Sequence, residues 1–275
     1  KKITNIKLSE DLTNEFLSTV TPGFSGAEIQ NVVNLALIEA VDSNSDTLSK
    51  KHFQEAIDRT VLGIKYKYKK SKTLRYLLQK AIHEAGHTLV CYKNTICKNS
   101  LHKSSISSRG STEGTTSYIL SQEDMDDTKQ ELAVLIDVSV AGIIAEELYF
   151  GDNKISTGCG KDINKAYSYA ESMVKRFGMS PLDYGYMVIK EQHFQHKISG
   201  ETRNIVDSAA SNLIERSSGR VRKILNENMN DLLKLTRYLL EYEELDKNDI
   251  FSIMEGKELD EKKMKLRSVN LHNIK

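Results

Sequence analysis

Residues 73–93 read TLRYLLQKAIHEAGHTLVCYK, and the rest of the chain is best understood from this stretch. Leu74, Leu77, Leu78, Ala81, Ala85 and Leu89 recur every three or four positions, which predicts an amphipathic helix. Within it lies His83-Glu84-Ala85-Gly86-His87. On a helix His83 and His87 stand one turn apart on the same face, so both imidazoles reach a single Zn2+. Glu84 projects beside them, placed to take a proton from a water held by the metal. The plainer alternative is a surface histidine pair. The apolar surroundings weigh against it, because two unpaired histidines are costly to bury.

A catalytic zinc needs a third protein ligand and an open position for water. One common continuation places Gly three and His six residues after the second histidine, but Val90 and Lys93 occupy those positions. Three carboxylates remain: Glu146 and Glu147 on a helix expected at about 126–149, and Asp162 after the turn STGCG (156–160). Taken alone, Asp162 reads as the N-cap of the helix it opens, expected at 162–177. The residues by themselves leave this choice open.

Outward from this stretch the chain is mostly helical, as two prolines in 275 residues allow. The periodicity predicts helices at 8–20, at about 25–41 with a Ser25/Glu28 capping box, and at 49–62 closed by Gly63. Further helices are expected at 200–227, 229–242 and 247–254. Short apolar-containing pieces occur at Leu101–Ile106 and Gly114–Leu120, and the second (GTTSYIL), β-branched and aromatic, is expected to be a strand. Residues 59–83 carry lysine, arginine and tyrosine without an acidic residue, and read as a solvated basic connection rather than a nucleic-acid or lipid contact. His193 and His196 read as surface residues, and the lysine-rich stretch from Glu255 as a loose tail.

Composition narrows the function classes. With 39 Lys+Arg against 38 Asp+Glu the net charge is +1, which argues against a dedicated nucleic-acid binder. The longest nearly apolar run, Leu132–Ala145, holds Asp137 and Ser139 and is too short to span a bilayer. Three cysteines point to a reducing compartment, with Cys91 and Cys97 expected as ordinary thiols rather than a second zinc site with His102.

Along nearly its full length the chain resembles the FtsH-type ATP-dependent zinc metalloproteases, or AAA proteases. TPGFSGAE (21–28) looks like the lid segment of their AAA+ module, and HEAGH (83–87), SRG (108–110), AEELYFG (145–151), STG (156–158) with Asp162, and FGMS (177–180) follow in the family's order. ETRNIVD (201–207) and NMNDLLK (228–234) fit as well. The resemblance implies that His83, His87 and Asp162 are the zinc ligands, that Glu84 is the general base, and that Glu146 or Glu147 orients a ligand histidine. It also makes Gly114, Thr115, Thr116, Ser117 and Tyr118 an edge strand to which an extended substrate can add. Departures are Ala141-Gly142-Ile143 where the family has a Gly-Gly-Arg, Ser108 for a proline, and Lys161 for a common asparagine. None removes a ligand or the base.

The implied fold is mainly α: a helical AAA+ lid at 1–63, a basic linker at 64–72, a mostly helical zinc-peptidase domain with a small β-sheet at 73–256, and a tail at 257–275. No G-x-x-x-x-G-K-[ST] occurs, so ATP and Mg2+ belong to a longer parent and not to this stretch. The family pattern implies a membrane anchor and a complete nucleotide-binding domain upstream, a hexamer of like or paralogous chains, and unfolded or membrane-protein substrates. Its location would be the mitochondrial inner membrane, a plastid or a bacterial plasma membrane. The apolar faces beyond residue 200 fit either a subunit interface or a core. Two rivals are a catalytically silent ring-forming relative, against which intact HEAGH and Asp162 stand, and a free-standing zinc peptidase, against which the lid-like segment stands.

Overall fold

Helix caps and buried apolar stripes, rather than sheet pairing, organise this chain. The structure, a computed structural model, describes residues 7–21, 23–61, 73–107, 115–118, 128–180 and 199–259. The Gly63 stop, the 64–72 linker, Ser108, Gly114, the acidic run at 123–127, His193, His196 and nearly all of the tail lie outside these residues. The fold is mainly α, as expected; among the described residues it holds the small sheet expected after residue 73 and a second, two-stranded one in the first unit that was not expected, and the chain divides into two compact units.

The first unit holds β1 (Lys7–Leu8), α1 (Asn14–Val20), α2 (Gly26–Asp42), β2 (Thr47–Leu48) and α3 (Lys50–Val61). Ser25 and Glu28 form the expected capping box, each side chain meeting the other's backbone N–H. Val32, Ala36 and Ala40 of α2 pack with Leu48, Phe53, Ala56 and Ile57. The first helix is shorter than its periodicity predicts. Leu8 pairs in parallel with Leu48 instead, and Thr13 caps α1 by accepting from Phe16 N–H at 3.1 Å. A non-local strand pairing has overridden a local helical pattern.

The second unit begins with α4 (Leu74–Lys93) and α5 (Thr95–Lys98), followed by β3 (Leu101–Ser105) and β4 (Thr115–Tyr118). Four longer helices follow: α6 (Lys129–Phe150), α7 (Gly160–Lys175), α8 (Gly200–Glu227) and α9 (Met229–Tyr242). β5 (Glu244–Asp246) and α10 (Lys247–Met254) complete it. Leu78, Ile82 and Leu89 of α4, Ile136 of α6, Met173 of α7, and Leu225, Leu232, Leu235 and Leu239 of α8 and α9 are fully buried in one core. These leucines beyond residue 200 therefore belong to the core of the unit, while Ile205 of α8 is exposed. Among the described residues the sheet runs β4-β3-β5, with Ser104 opposite Leu245 in the antiparallel β3–β5 pair and β4 at its edge.

A close backbone approach and a buried ion pair fix α6 against α4 and α8. At Gly86 a Cβ would fall 2.6 Å from the Ala145 Cβ and 2.7 Å from the Ala141 carbonyl oxygen, so α4 and α6 cross nearly backbone to backbone. Asp137, which interrupts the apolar run of α6, is buried and held bidentately by Arg220 of α8 at 3.1 and 2.6 Å. Cys91 and Cys97 differ from the expected thiols. Asn94 caps α5, turning the chain so that their Cα atoms lie 5.1 Å apart, and the two are joined as a disulfide. No helix among the described residues is long and apolar enough to cross a membrane.

Candidate metal centre

His83, Glu84 and His87 are only 4%, 5% and 7% exposed, and both histidines find partners for Nδ1 inside the protein. His83 Nδ1 lies 2.8 Å from Glu146 Oε1, and His87 Nδ1 lies 2.6 Å from the Val138 carbonyl oxygen. A carbonyl or an ionised carboxylate can only accept, so both Nδ1 atoms carry a hydrogen, and in the neutral, metal-binding form of each ring Nε2 presents a lone pair.

Those lone pairs converge. The two Nε2 atoms are 3.1 Å apart, and Asp162 Oδ2 lies 3.1 Å from His83 Nε2 and 3.8 Å from His87 Nε2. Three acceptors turned on one another repel unless a cation sits among them. A tetrahedral zinc with bonds of about 2.0–2.1 Å holds its ligand atoms about 3.3 Å apart, so the donor set and its spacing fit that ion.

Electrostatics agree with the geometry. Burial pushes the His83 pKa down, but hydrogen bonds to Asp162, Cys159 and Glu146 and the Glu84 charge outweigh it and hold it well above its usual value. Burial pushes Asp162 up, yet the two histidines keep its carboxyl well below the usual carboxylate range. The cluster thus has a strong appetite for positive charge.

Asp162 arrives from α7. That helix starts at Gly160, two residues earlier than the periodicity predicts, so Asp162 is in the first turn and Cys159 is at the N-cap position. The N-cap reading of Asp162 is corrected by this earlier start: its carboxylate points to the histidines.

Glu146 is the carboxylate that orients His83. Besides His83 Nδ1, it accepts from Gln79 Nε2 at 3.0 Å, Ser156 N–H at 2.8 Å, Ser156 Oγ at 3.1 Å and Cys159 Sγ at 3.3 Å. Burial raises its pKa, but His83, the Ser156 N–H and Cys159 prevail and lower it to about 2. Glu147 stands elsewhere, corrected by the rotation of about 100° between helix neighbours. It pairs with Arg222 of α8 through two bonds at 2.9 and 3.1 Å. Cys159 is buried against Glu146 and is not one of the three converging groups.

Sequence reasoning missed Gly142. A Cβ there would meet His83 Cε1 at 2.5 Å, His87 Nε2 at 2.6 Å and His83 Nδ1 at 2.7 Å, so the bare backbone of α6 forms the wall on which both imidazoles rest. The sequence cue was the glycine itself, the single one within the 22 residues of α6, where a helix interior ordinarily avoids it. Of the predicted substrate strand, Thr115–Tyr118 form β4, while Gly114 lies outside the described residues. Thr116 donates to Glu84 Oε2 at 2.8 Å, and Glu84 Oε1 has no hydrogen bond among the described residues.

A buried His-Glu-x-x-His helix, joined by an aspartate from a second helix in a mainly α unit, defines the class of zinc metallopeptidases. Residues 67–253 match the family model of peptidase family M41, and residues 15–55 match that of the AAA+ lid domain. The chain belongs to peptidase family M41. It is 34% identical over 98% of its length to the mitochondrial inner membrane i-AAA protease supercomplex subunit YME1 of Saccharomyces cerevisiae, covering 35% of that protein. It is 33% identical to the ATP-dependent zinc metalloprotease FTSH 11, chloroplastic/mitochondrial, of Arabidopsis thaliana, over 93% of this chain and 31% of that one. The ATP-dependent zinc metalloprotease FtsH of Endomicrobium trichonymphae is 34% identical over 92% of this chain and 41% of its own. The chain thus spans between 31% and 41% of the length of these curated relatives.

Proposed function

We propose that this chain is the proteolytic part, with an adjoining AAA+ lid, of an ATP-dependent, membrane-anchored zinc endopeptidase that degrades unfolded or membrane proteins. Its domains would be the lid at 1–63, a linker at 64–72, the peptidase at 73–256 and a tail at 257–275. The observation that carries the reading is the convergence of His83 Nε2, His87 Nε2 and Asp162 Oδ2, with both Nδ1 hydrogens already committed to Glu146 and Val138. In this reading those three residues hold zinc. When bound there, zinc supplies a Lewis acid that polarises a peptide carbonyl and acidifies water.

The chain's own residues do the rest. Glu84 Oε1, free of other hydrogen bonds among the described residues, takes the proton of the attacking water and later passes it to the leaving amine. Glu146 fixes His83 in the tautomer that turns Nε2 inward, and the Val138 carbonyl does the same for His87. β4, an edge strand among the described residues, offers main-chain groups to an extended polypeptide, which suits cleavage with little side-chain preference. Two of the relatives named above are ATP-dependent zinc metalloproteases by name, and the third is an i-AAA protease subunit, which supports placing ATP hydrolysis in the whole protein; the hexameric ring rests on the family resemblance. The mitochondrial inner membrane named for one of them and the chloroplastic or mitochondrial location named for another support an organellar setting.

The test is cleavage of an unfolded, fluorophore-labelled casein by zinc-loaded wild type and Glu84→Gln. The reading expects the variant to bind zinc and lose cleavage. Equal cleavage by both would overturn it.

A further inference from the structure

Thr116 belongs to β4, yet its side chain reaches across to the helix that carries the base. Its Oγ1 lies 2.8 Å from Glu84 Oε2, 3.2 Å from the Glu84 carbonyl oxygen, 3.2 Å from Ser104 Oγ and 3.4 Å from Thr88 Oγ1. A hydroxyl has one hydrogen, and the ionised carboxylate at the shortest distance takes it. Thr88 spends its own hydrogen on the Glu84 carbonyl at 2.7 Å, the usual bond to the residue four back in a helix. Fully buried Ser104, on β3, is then the hydroxyl that can donate to Thr116. The result is a short relay from Ser104 through Thr116 to Glu84 Oε2, in which each bond polarises the next.

We propose that Thr116 is a positioning residue: its hydroxyl locks the Glu84 carboxylate in one rotamer, with Oε2 occupied and Oε1 directed to the reacting water. A glutamate has three side-chain torsions, and α4 fixes only the backbone from which they start. Among the described residues, Thr116 supplies the one side-chain hydrogen bond that Glu84's carboxylate receives. The bond also joins the base to the edge strand, so a polypeptide paired along β4 would lie on the strand that carries this hydroxyl.

The inference rests on the reading of Glu84 as general base, and the experiment separates the two. Zinc content, kcat and KM for a quenched-fluorescence peptide are measured for wild type, Glu84→Gln, Thr116→Val and Thr116→Ser. Valine keeps the shape and strand preference but removes the hydroxyl; serine keeps the hydroxyl. Thr116→Val is expected to hold wild-type zinc and KM while kcat falls about ten- to hundred-fold, the scale of a misplaced catalytic group. Thr116→Ser should recover most of that loss. Should valine disturb the strand, Thr116→Ala is compared with serine in the same way. Wild-type kcat in the hydroxyl-free variants overturns the proposal, as does an equal loss in serine, or zinc loss in every variant, which would make the role purely structural. If Glu84→Gln itself cleaves like wild type, the general-base reading fails first.

Discussion

Gly142 of α6 lies so close to His83 of α4 that a Cβ on it would sit 2.5 Å from the imidazole Cε1. The same Cβ would sit 2.6 Å from His87 Nε2, so the cradle serves both rings at once. Neither ring has room to retreat, because their Nδ1 atoms are bonded to Glu146 and to the Val138 carbonyl. Gly142→Ala is therefore expected to leave helix content nearly unchanged while abolishing stoichiometric zinc binding. Metal analysis alongside circular dichroism checks this, and full zinc retention would contradict it.

Two neighbouring glutamates should behave oppositely. Removing Glu146 frees His83 to rotate and change tautomer, and loss of such a supporting carboxylate typically weakens metal affinity about 10- to 100-fold. Glu147→Ala breaks only a partly exposed pair with Arg222, worth about 1 kcal/mol or less, and should leave zinc affinity alone. Competition with a chromogenic zinc chelator distinguishes the two.

The disulfide predicts a labelling pattern. Denatured without reductant, the chain should take up one alkyl group, at Cys159; after reduction it should take up three. Mass spectrometry reads both. Three alkyl groups without reduction would restore the thiols that composition alone suggests.

Tyr167 ties α7 to α8 by donating to Asp207 Oδ1 at 2.8 Å. Burial first, and then this bond with the charges of Asp207 and Glu171, push its pKa from 10.0 up to about 12. The folded state thus holds the phenol proton more tightly than the unfolded one. The resulting stabilisation is complete below the ordinary value of 10.0 and fades as pH rises toward about 12. Urea midpoints of wild type and Tyr167→Phe should accordingly differ at neutral pH and draw together above pH 10. A constant gap across that range would contradict the assignment.

Much of this was legible in the sequence, for identifiable reasons. The two histidines and Glu84 share a helix, so their spacing alone puts them together. The long helices were visible because each buries a continuous stripe. Asp162 joined the set only through resemblance, since its place depends on how α7 meets α4. Choosing Glu146 over Glu147 required the rotation of α6, which nearly uniform apolarity around that helix conceals. Gly142 was hidden for the same reason: its role is an absent side chain facing another helix. β1, β2 and β5 are two or three residues long and carry too few side chains to show alternation.

The central claim, that His83, His87 and Asp162 together hold the zinc, is tested most directly by metal stoichiometry after dialysis against a mild chelator. Wild type and Glu147→Ala are expected to retain a single zinc per chain, whereas folded Asp162→Ala retains almost none. Full retention of zinc by Asp162→Ala would contradict the account.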